Sequence, residues 1–254
     1  MKDESATSLH PLVGGFADAD NYDRARPRYG AEVVATLIDA LGLAPGAPVL
    51  ELGAGTGQLS EALVQGGLDL TAVEPLPQTR ALLARAIGEQ RVRAGVAEDI
   101  PLPEGSVDAV LAADSFHWFD QARAMPEIRR VLRPGGGVAI LRSLPLWDGP
   151  WSHDLGSLLA ASRPDHPAFD GDGEAAALSA GDSYGPVQKL TVNSEQVTDP
   201  SRLLAYIASF SWVGSLPAPA REELLGRAAE LLEGHQMGEV RHQVAHLIWV
   251  ARLR

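Results

Sequence analysis

The 254-residue chain carries 33 Asp and Glu against 21 Lys and Arg, a formal charge of -12, and 45% of its residues are hydrophobic. That balance repels phosphate backbones and anionic membrane surfaces, so neither nucleic acid nor membrane is an expected partner. Cysteine is absent, which excludes disulfides, thiolate metal sites and a cysteine nucleophile, and the length suits one large domain with an appended piece around a core of its own.

Met1–Gly15 has mixed charge and no apolar run of signal-peptide length, which predicts a soluble, cytoplasmic protein. After a short N-terminal arm, the spacing predicts a helix over Gly30–Leu43, with Ala35, Leu37, Ile38 and Leu41 on one face. From residue 49 to 142 short apolar runs alternate with amphipathic stretches, the pattern of a parallel sheet with helices on its faces. Strands are expected at Val49–Leu52, Leu70–Glu74, Val92–Ala94, Val107–Ala113 and Gly137–Leu141. Helices are expected between them at Gln58–Gln65, Pro77–Ile87 and Gln121–Leu132, the last stopped by the Pro134–Gly137 cluster. Ser143–Asp182 breaks the rhythm: it is rich in Gly, Pro, Asp and Ser, and Asp170–Glu174 reads as a solvated acidic loop whose ligand series and terminal Glu spacing are wrong for calcium. The tail then predicts a strand at Val187–Val192, helices at Pro200–Ala208 and Pro219–Leu232, and a long alternating strand over Val240–Arg252. His242 and His246 are four apart, a metal spacing on a helix, but the alternation through Val244, Ile248 and Val250 argues for a strand and no metal site.

Most of the chemistry is carried by Val49-Leu50-Glu51-Leu52-Gly53-Ala54-Gly55-Thr56-Gly57-Gln58, a buried strand followed by glycines at every second position. Glycine lets the backbone turn sharply and lets a ligand approach where a Cβ would intrude. A dinucleotide fingerprint needs its third glycine at position 58, which is Gln58, so the spacing favours a different nucleoside ligand. About twenty residues further on, Glu74 ends the second strand, where a carboxylate can accept both hydroxyls of a ribose. The competing reading is a tight turn with no ligand.

Taken with Val73-Glu74-Pro75, Ala97-Glu98-Asp99-Ile100-Pro101-Leu102-Pro103, Ser106-Val107-Asp108-Ala109-Val110 and Glu127-Ile128-Arg129-Arg130-Val131-Leu132-Arg133-Pro134-Gly135-Gly136, this turn resembles the class I S-adenosylmethionine-dependent methyltransferases. Tyr22, Arg26-Pro27-Arg28-Tyr29 and Phe116-His117-Trp118-Phe119-Asp120 resemble the small-molecule branch that includes trans-aconitate methyltransferase. The resemblance implies an α/β, Rossmann-like fold: a seven-stranded, mostly parallel sheet with helices on both faces, an antiparallel last strand, and an N-terminal arm and helical cover. Residues 16–142 would be the cofactor-binding core of a single domain, 143–239 the substrate-covering region and 240–252 the last strand.

The resemblance also implies the site. Glu51 and the turn Gly53, Ala54, Gly55 and Gly57 would face the methionyl ammonium and the middle of S-adenosyl-L-methionine, the alternative for Glu51 being an ion pair at the sheet edge. Glu74 would take the ribose, with Pro75, Leu76 and Ile100 against the adenine or simply in the core. Where family members often carry Asp or Asn this chain has Val96, which shifts the adenine-amino contact to the Ala97 backbone and Glu98. Ala113 and Asp114 would line the cofactor, or Asp114 would cap the following helix. The faces of Tyr22, Phe116 or Trp118 could meet the sulfonium; for Phe116 and Trp118 the alternative is packing between helix and sheet. Arg26, with Arg24 and Arg28, is placed to clamp an anionic substrate or the cofactor's own carboxylate, or is solvated surface charge. His117 is the candidate catalytic base for a hydroxyl or amine acceptor, the alternative being a packed structural histidine, and a carboxylate acceptor would need no base. The expected activity is methyl transfer to an O or N atom of a small molecule, carboxylates and natural-product intermediates included. The rivals are a noncatalytic S-adenosylmethionine-binding interaction protein and an NAD(P)-dependent oxidoreductase, against which Gln58 already argues.

Overall fold

The computed structural model describes residues 18–163, 173–180 and 182–254. A seven-stranded sheet is built from β1 (Pro48–Leu52), β2 (Asp69–Val73), β3 (Val92–Arg93), β4 (Val107–Ala113), β5 (Leu132–Leu146), β6 (Gln188–Thr198) and β7 (Val240–Arg252), in the order β3-β2-β1-β4-β5-β7-β6. The first five are parallel, and β7 is inserted antiparallel between β5 and β6, as expected. β1 is apolar on both faces because both are covered. Val49 packs with Leu70, Ala109 and Leu111 beneath α2 (Ala31–Leu41), α3 (Ser60–Gln65) and α4 (Pro77–Ile87), while Leu50 and Leu52 face Ile128 and Val131 of α5 (Gln121–Val131).

A third apolar cluster lies off the sheet. Trp151, Leu155 and Leu158 of α6 (Pro150–Ser162) meet Leu203 and Ile207 of α8 (Pro200–Ala208), Trp212 and Val213 of α9 (Ser211–Gly214), and Leu224, Ala228 and Leu232 of α10 (Ala218–Gly234). The N-terminal arm is itself a helix, α1 (Ala19–Ala25), capped by Asp18 and tied to this cover by the Asn21 amide donating to the Ala205 carbonyl at 3.1 Å.

The structure corrects the expectations in three places, one being β6, which runs over Gln188–Thr198 along β7 rather than ending at Val192. Ser143–Asp182 is not uniformly irregular: β5 continues to Leu146, α6 follows, and α7 (Gly173–Ser179) packs Leu178 into the second core. Of the expected solvated acidic loop, residues 170–172 lie outside the described residues, and Glu174 corrects it: it lies in the first turn of α7, buried and paired with Arg142 at 3.5 Å. β5 spans 15 residues rather than the five expected, because it already begins at Leu132, ahead of the Pro134–Gly137 cluster expected to separate helix from strand, and runs on through Arg142–Leu146 beside β7. The long β5 and β7 run past the carboxyl end of the parallel strands in register, Ser143 opposite His246, and this extension forms one wall of the site.

Candidate functional site

In open α/β sheets ligands bind beyond the carboxyl ends of the strands where the strand order reverses. Here that point lies between β1 and β4, and a cavity of about 390 Å³ opens there. The glycine turn forms its floor. Gly53, Gly55 and Gly57 have φ of +64°, +61° and +106°, a region in which side chains are strained. A Cβ on Gly53 would come within 2.7 Å of the Ser115 Cβ. Gly57 does not line the cavity; its open side faces Leu83 and Ala86, which lets α4 approach the turn. Gln58, at the position of a dinucleotide motif's third glycine, is buried and donates to the Thr56 hydroxyl at 2.6 Å, so a pyrophosphate has no seat there.

Two buried carboxyls flank the turn. Glu51, 1% exposed, accepts from the Ser60 hydroxyl at 2.5 Å; burial pushes its carboxyl up to about 8, and Glu74 adds to the rise. It makes no ion pair among the described residues, contrary to the sheet-edge alternative. Glu74 is pushed up to about 7 by burial, partly offset by the Leu76 and Gly55 N–H groups, each donating at 3.0 Å to a different carboxylate oxygen, and by Arg80. Each oxygen keeps a second acceptor position, which suits a pair of vicinal hydroxyls.

Asp114 leaves β4 in the left-handed region, φ +49°, held by two donors. The Tyr29 hydroxyl reaches Oδ2 and the Ser143 N–H reaches Oδ1, both at 2.9 Å. It therefore does not serve as the cap of the following helix, a role taken by Asp120, whose side chain accepts from the Ala122 N–H. The network continues from Tyr29 to the Ser143 hydroxyl at 2.9 Å, to His246 Nδ1 at 3.0 Å, and from His246 Nε2 to Ser194 at 2.9 Å. Because a carboxylate only accepts, Tyr29 donates to Asp114 and Ser143 to Tyr29, which assigns the His246 proton to Nδ1 and makes Nε2 the acceptor from Ser194. Burial lowers the His246 pKa, in keeping with this neutral form. Both ring nitrogens of His246 are thus engaged, and among the described residues no three His, Asp or Glu side chains are grouped so as to hold a metal ion.

Of the predicted residues, Tyr22, Arg26, Glu51, Gly53, Ala54, Gly55, Glu74, Pro75, Ala97, Glu98, Ala113, Asp114 and His117 all line the cavity, and Gly57 supports it from behind. Glu98 is engaged by the Asp120 N–H at 2.7 Å. Phe116 and Ile100 are buried in the second core, the packing alternative for both, whereas Trp118 lines the cavity beside His117, their rings 4.8 Å apart. The guanidinium of Arg26 lies over the rings of Tyr22, Tyr206 and Phe210 at 5.1, 4.9 and 5.3 Å and donates to the Ser209 hydroxyl at 2.9 Å. Sequence reasoning missed Tyr29, Ser143, Tyr206 and His246 as site residues. Tyr29 stood in a motif already singled out, but Ser143 and His246 meet only through the pairing of β5 with β7, which no local pattern announces.

The sheet order, the left-handed glycine turn and the acid beyond β2 define a Rossmann-like nucleoside-binding architecture of the methyltransferase type. Residues 50–140 match the model of a methyltransferase domain family. The chain is 36% identical over 214 residues to an uncharacterized methyltransferase of Mycobacterium tuberculosis, covering 84% of this chain and 83% of that one. It is 30% identical over 215 residues to an uncharacterized methyltransferase-like protein of Schizosaccharomyces pombe, 84% of each chain. A solved structure from Anaeromyxobacter dehalogenans, assigned as a type II methyltransferase, aligns with a TM-score of 0.68 at 26% identity, over 89% of this chain and 97% of that one. The chain belongs to the class I S-adenosylmethionine-dependent methyltransferase family, and its cofactor is S-adenosylmethionine. The residues present fit that molecule: the floor has no Cβ at Gly53 or Gly55, and Glu74 keeps acceptor positions for a ribose. No helix among the described residues is long and apolar enough to cross a membrane.

Proposed function

We propose that this cavity is the methyl-transfer site and that the acceptor is a small molecule methylated on an O or N atom. The observation that carries the reading is the convergence of the glycine floor, the two buried carboxyls and the Asp114–Tyr29–Ser143–His246 wall on one cavity of about 390 Å³, a size suited to small ligands. S-adenosylmethionine, when bound, supplies an electrophilic methyl group on a sulfonium. Glu74 holds the ribose hydroxyls, Pro75, Ala97 and Glu98 border the adenine, and Glu51 with the Gly53–Gly55 backbone receives the methionyl end. Tyr22 offers a ring face to positive charge. Ala113 and Asp114 set the depth at which the reacting carbon lies. The transfer is an in-line displacement with a neutral leaving group, so alignment and exclusion of water are the protein's main tasks. α1 and α8, joined by the Asn21–Ala205 hydrogen bond and lining the cavity through Tyr22 and Tyr206, provide the exclusion. His117 is the base for a hydroxyl or amine acceptor.

Residues 16–142 act as the cofactor-binding core, with 143–239 choosing the acceptor and 240–252 closing the sheet. The likeness to the trans-aconitate branch favours a carboxylate-bearing acceptor, and Arg26 on the cavity wall supports it. The test is to incubate the protein with S-adenosylmethionine and panels of small carboxylates, phenols and amines, and to measure S-adenosylhomocysteine. Acceptor-dependent product formation is expected; cofactor binding with no turnover on any panel would favour a noncatalytic binding protein.

A further inference from the structure

On the far side of Arg26 a second recess of about 500 Å³ opens between α1, the start of α8 and the extended ends of the strands. Arg26, Pro27, Pro145 and Tyr206 line both spaces. Four guanidiniums border the recess, Arg24, Arg26, Arg28 and Arg202, against one carboxylate, Asp23, in a chain whose net charge is -12. Arg28 is committed to Asp23 at 3.1 Å and Glu61 at 3.0 Å, and Arg202 to Asp199 at 3.5 Å. Among the described residues Arg24 and Arg26 have no ion-pair partner. Arg26 donates only to Ser209 and otherwise faces three rings. Within the same lining, the Trp147 indole nitrogen and His242 Nδ1 are buried with no hydrogen-bond partner among the described residues.

Arg26 is half-buried with no carboxylate opposite, an electrostatic deficit that an anion fills, and the exposed Arg24 borders the same recess. Stacking on rings covers the faces of Arg26 and Ser209 takes the Nε–Nη2 edge, which leaves the Nη1–Nη2 end, a fork that takes a carboxylate in bidentate fashion. We propose that the recess binds the carboxylate of the methyl acceptor between Arg24 and Arg26, while the acceptor's nucleophilic O or N reaches past Tyr206 and Pro145 into the first cavity. The acceptor is then a molecule with an anionic end and a separate methylatable atom. This rests on the first cavity being the methyl-transfer site.

Calorimetric titration of succinate, a small dicarboxylate, into protein saturated with S-adenosylhomocysteine tests the proposal. Binding with a dissociation constant below about 1 mM is expected, weakened at least about fivefold by Arg24→Gln through loss of a charge-assisted contact. No binding, binding abolished by S-adenosylhomocysteine, or binding indifferent to Arg24→Gln overturns it; the second result would put the carboxylate in the methionyl position instead. If S-adenosylhomocysteine itself fails to bind, the reading of the first cavity falls, and succinate binding to the unliganded protein that Arg24→Gln weakens still supports an anion site in the recess.

Discussion

At the scale of single residues, the turn after β1 combines backbone that only glycine tolerates with carboxyls that burial holds partly protonated. Glu74→Ala removes the acceptor of the ribose hydroxyls and is expected to weaken S-adenosylhomocysteine binding by about 1–3 kcal/mol in calorimetry while leaving the fold intact. Gly53→Ala forces a Cβ into the left-handed region and against Ser115, so it should lower both stability and cofactor affinity, stability by about 1–3 kcal/mol. The pH dependence follows from Glu51 and Glu74, raised from 4.5 to about 8 and about 7. Between those limits the folded protein holds protons that the unfolded chain has released, so these two groups make the ligand-free protein less stable as pH rises through that window. Glu51→Gln should flatten the decline in Tm between pH 4.5 and about 8. A cationic ligand end beside Glu51 favours the ionised carboxylate, so cofactor affinity should rise over the same interval. His117→Ala should slow transfer to a hydroxyl or amine by about 10²–10⁴ and leave transfer to a carboxylate largely unchanged.

At the scale of elements, the cover depends on α6, whose Trp151, Leu155 and Leu158 recur at helical spacing. Leu155→Ala, at a fully buried position, should cost about 2–5 kcal/mol in chemical denaturation. The same helix shows where local pattern fell short. Only Trp151, Leu155 and Leu158 of its 13 residues are buried, a thin apolar stripe, and the flanking Gly and Pro residues read as loop. β5 misled in the opposite sense: Pro134–Gly136 is turn chemistry, and it bulges between the Val107–Leu132 and Ala109–Gly137 pairs, so the strand runs on through it. Elements buried on both faces, such as β1 and β4, and those with caps and clean periodicity, such as α4, α8 and β7, were legible within one or two residues, because burial and local propensity agree there.

At the scale of the whole molecule, the floor and the cover are separate apolar assemblies joined across the ligand space by α1 and by the β5–β7 extension. The floor's residues come from one continuous run, 51–75, together with the end of β4, and this is why they could be read in advance. The wall of Tyr29, Ser143, His246 and Tyr206 assembles from residues as much as 217 positions apart, Tyr29 and His246 being the extremes, and only the sheet order brings them together. Loops and helices carried on a rigid sheet are where acceptor choice can vary without disturbing cofactor binding. Substitutions in the second recess should therefore change acceptor preference, read as relative kcat/KM across a carboxylate panel, with the affinity for S-adenosylhomocysteine held within about twofold.

The central claim is that the turn after β1 and the acid beyond β2 together grip the methyl donor, and a crystal structure grown with S-adenosylhomocysteine tests it most directly. The ribose hydroxyls are predicted within hydrogen-bond distance of Glu74, with the homocysteine end over Gly53 and Gly55 and the sulfur facing Asp114. An empty crevice with the ligand bound elsewhere, or a nicotinamide dinucleotide displacing it from that crevice, would contradict the account.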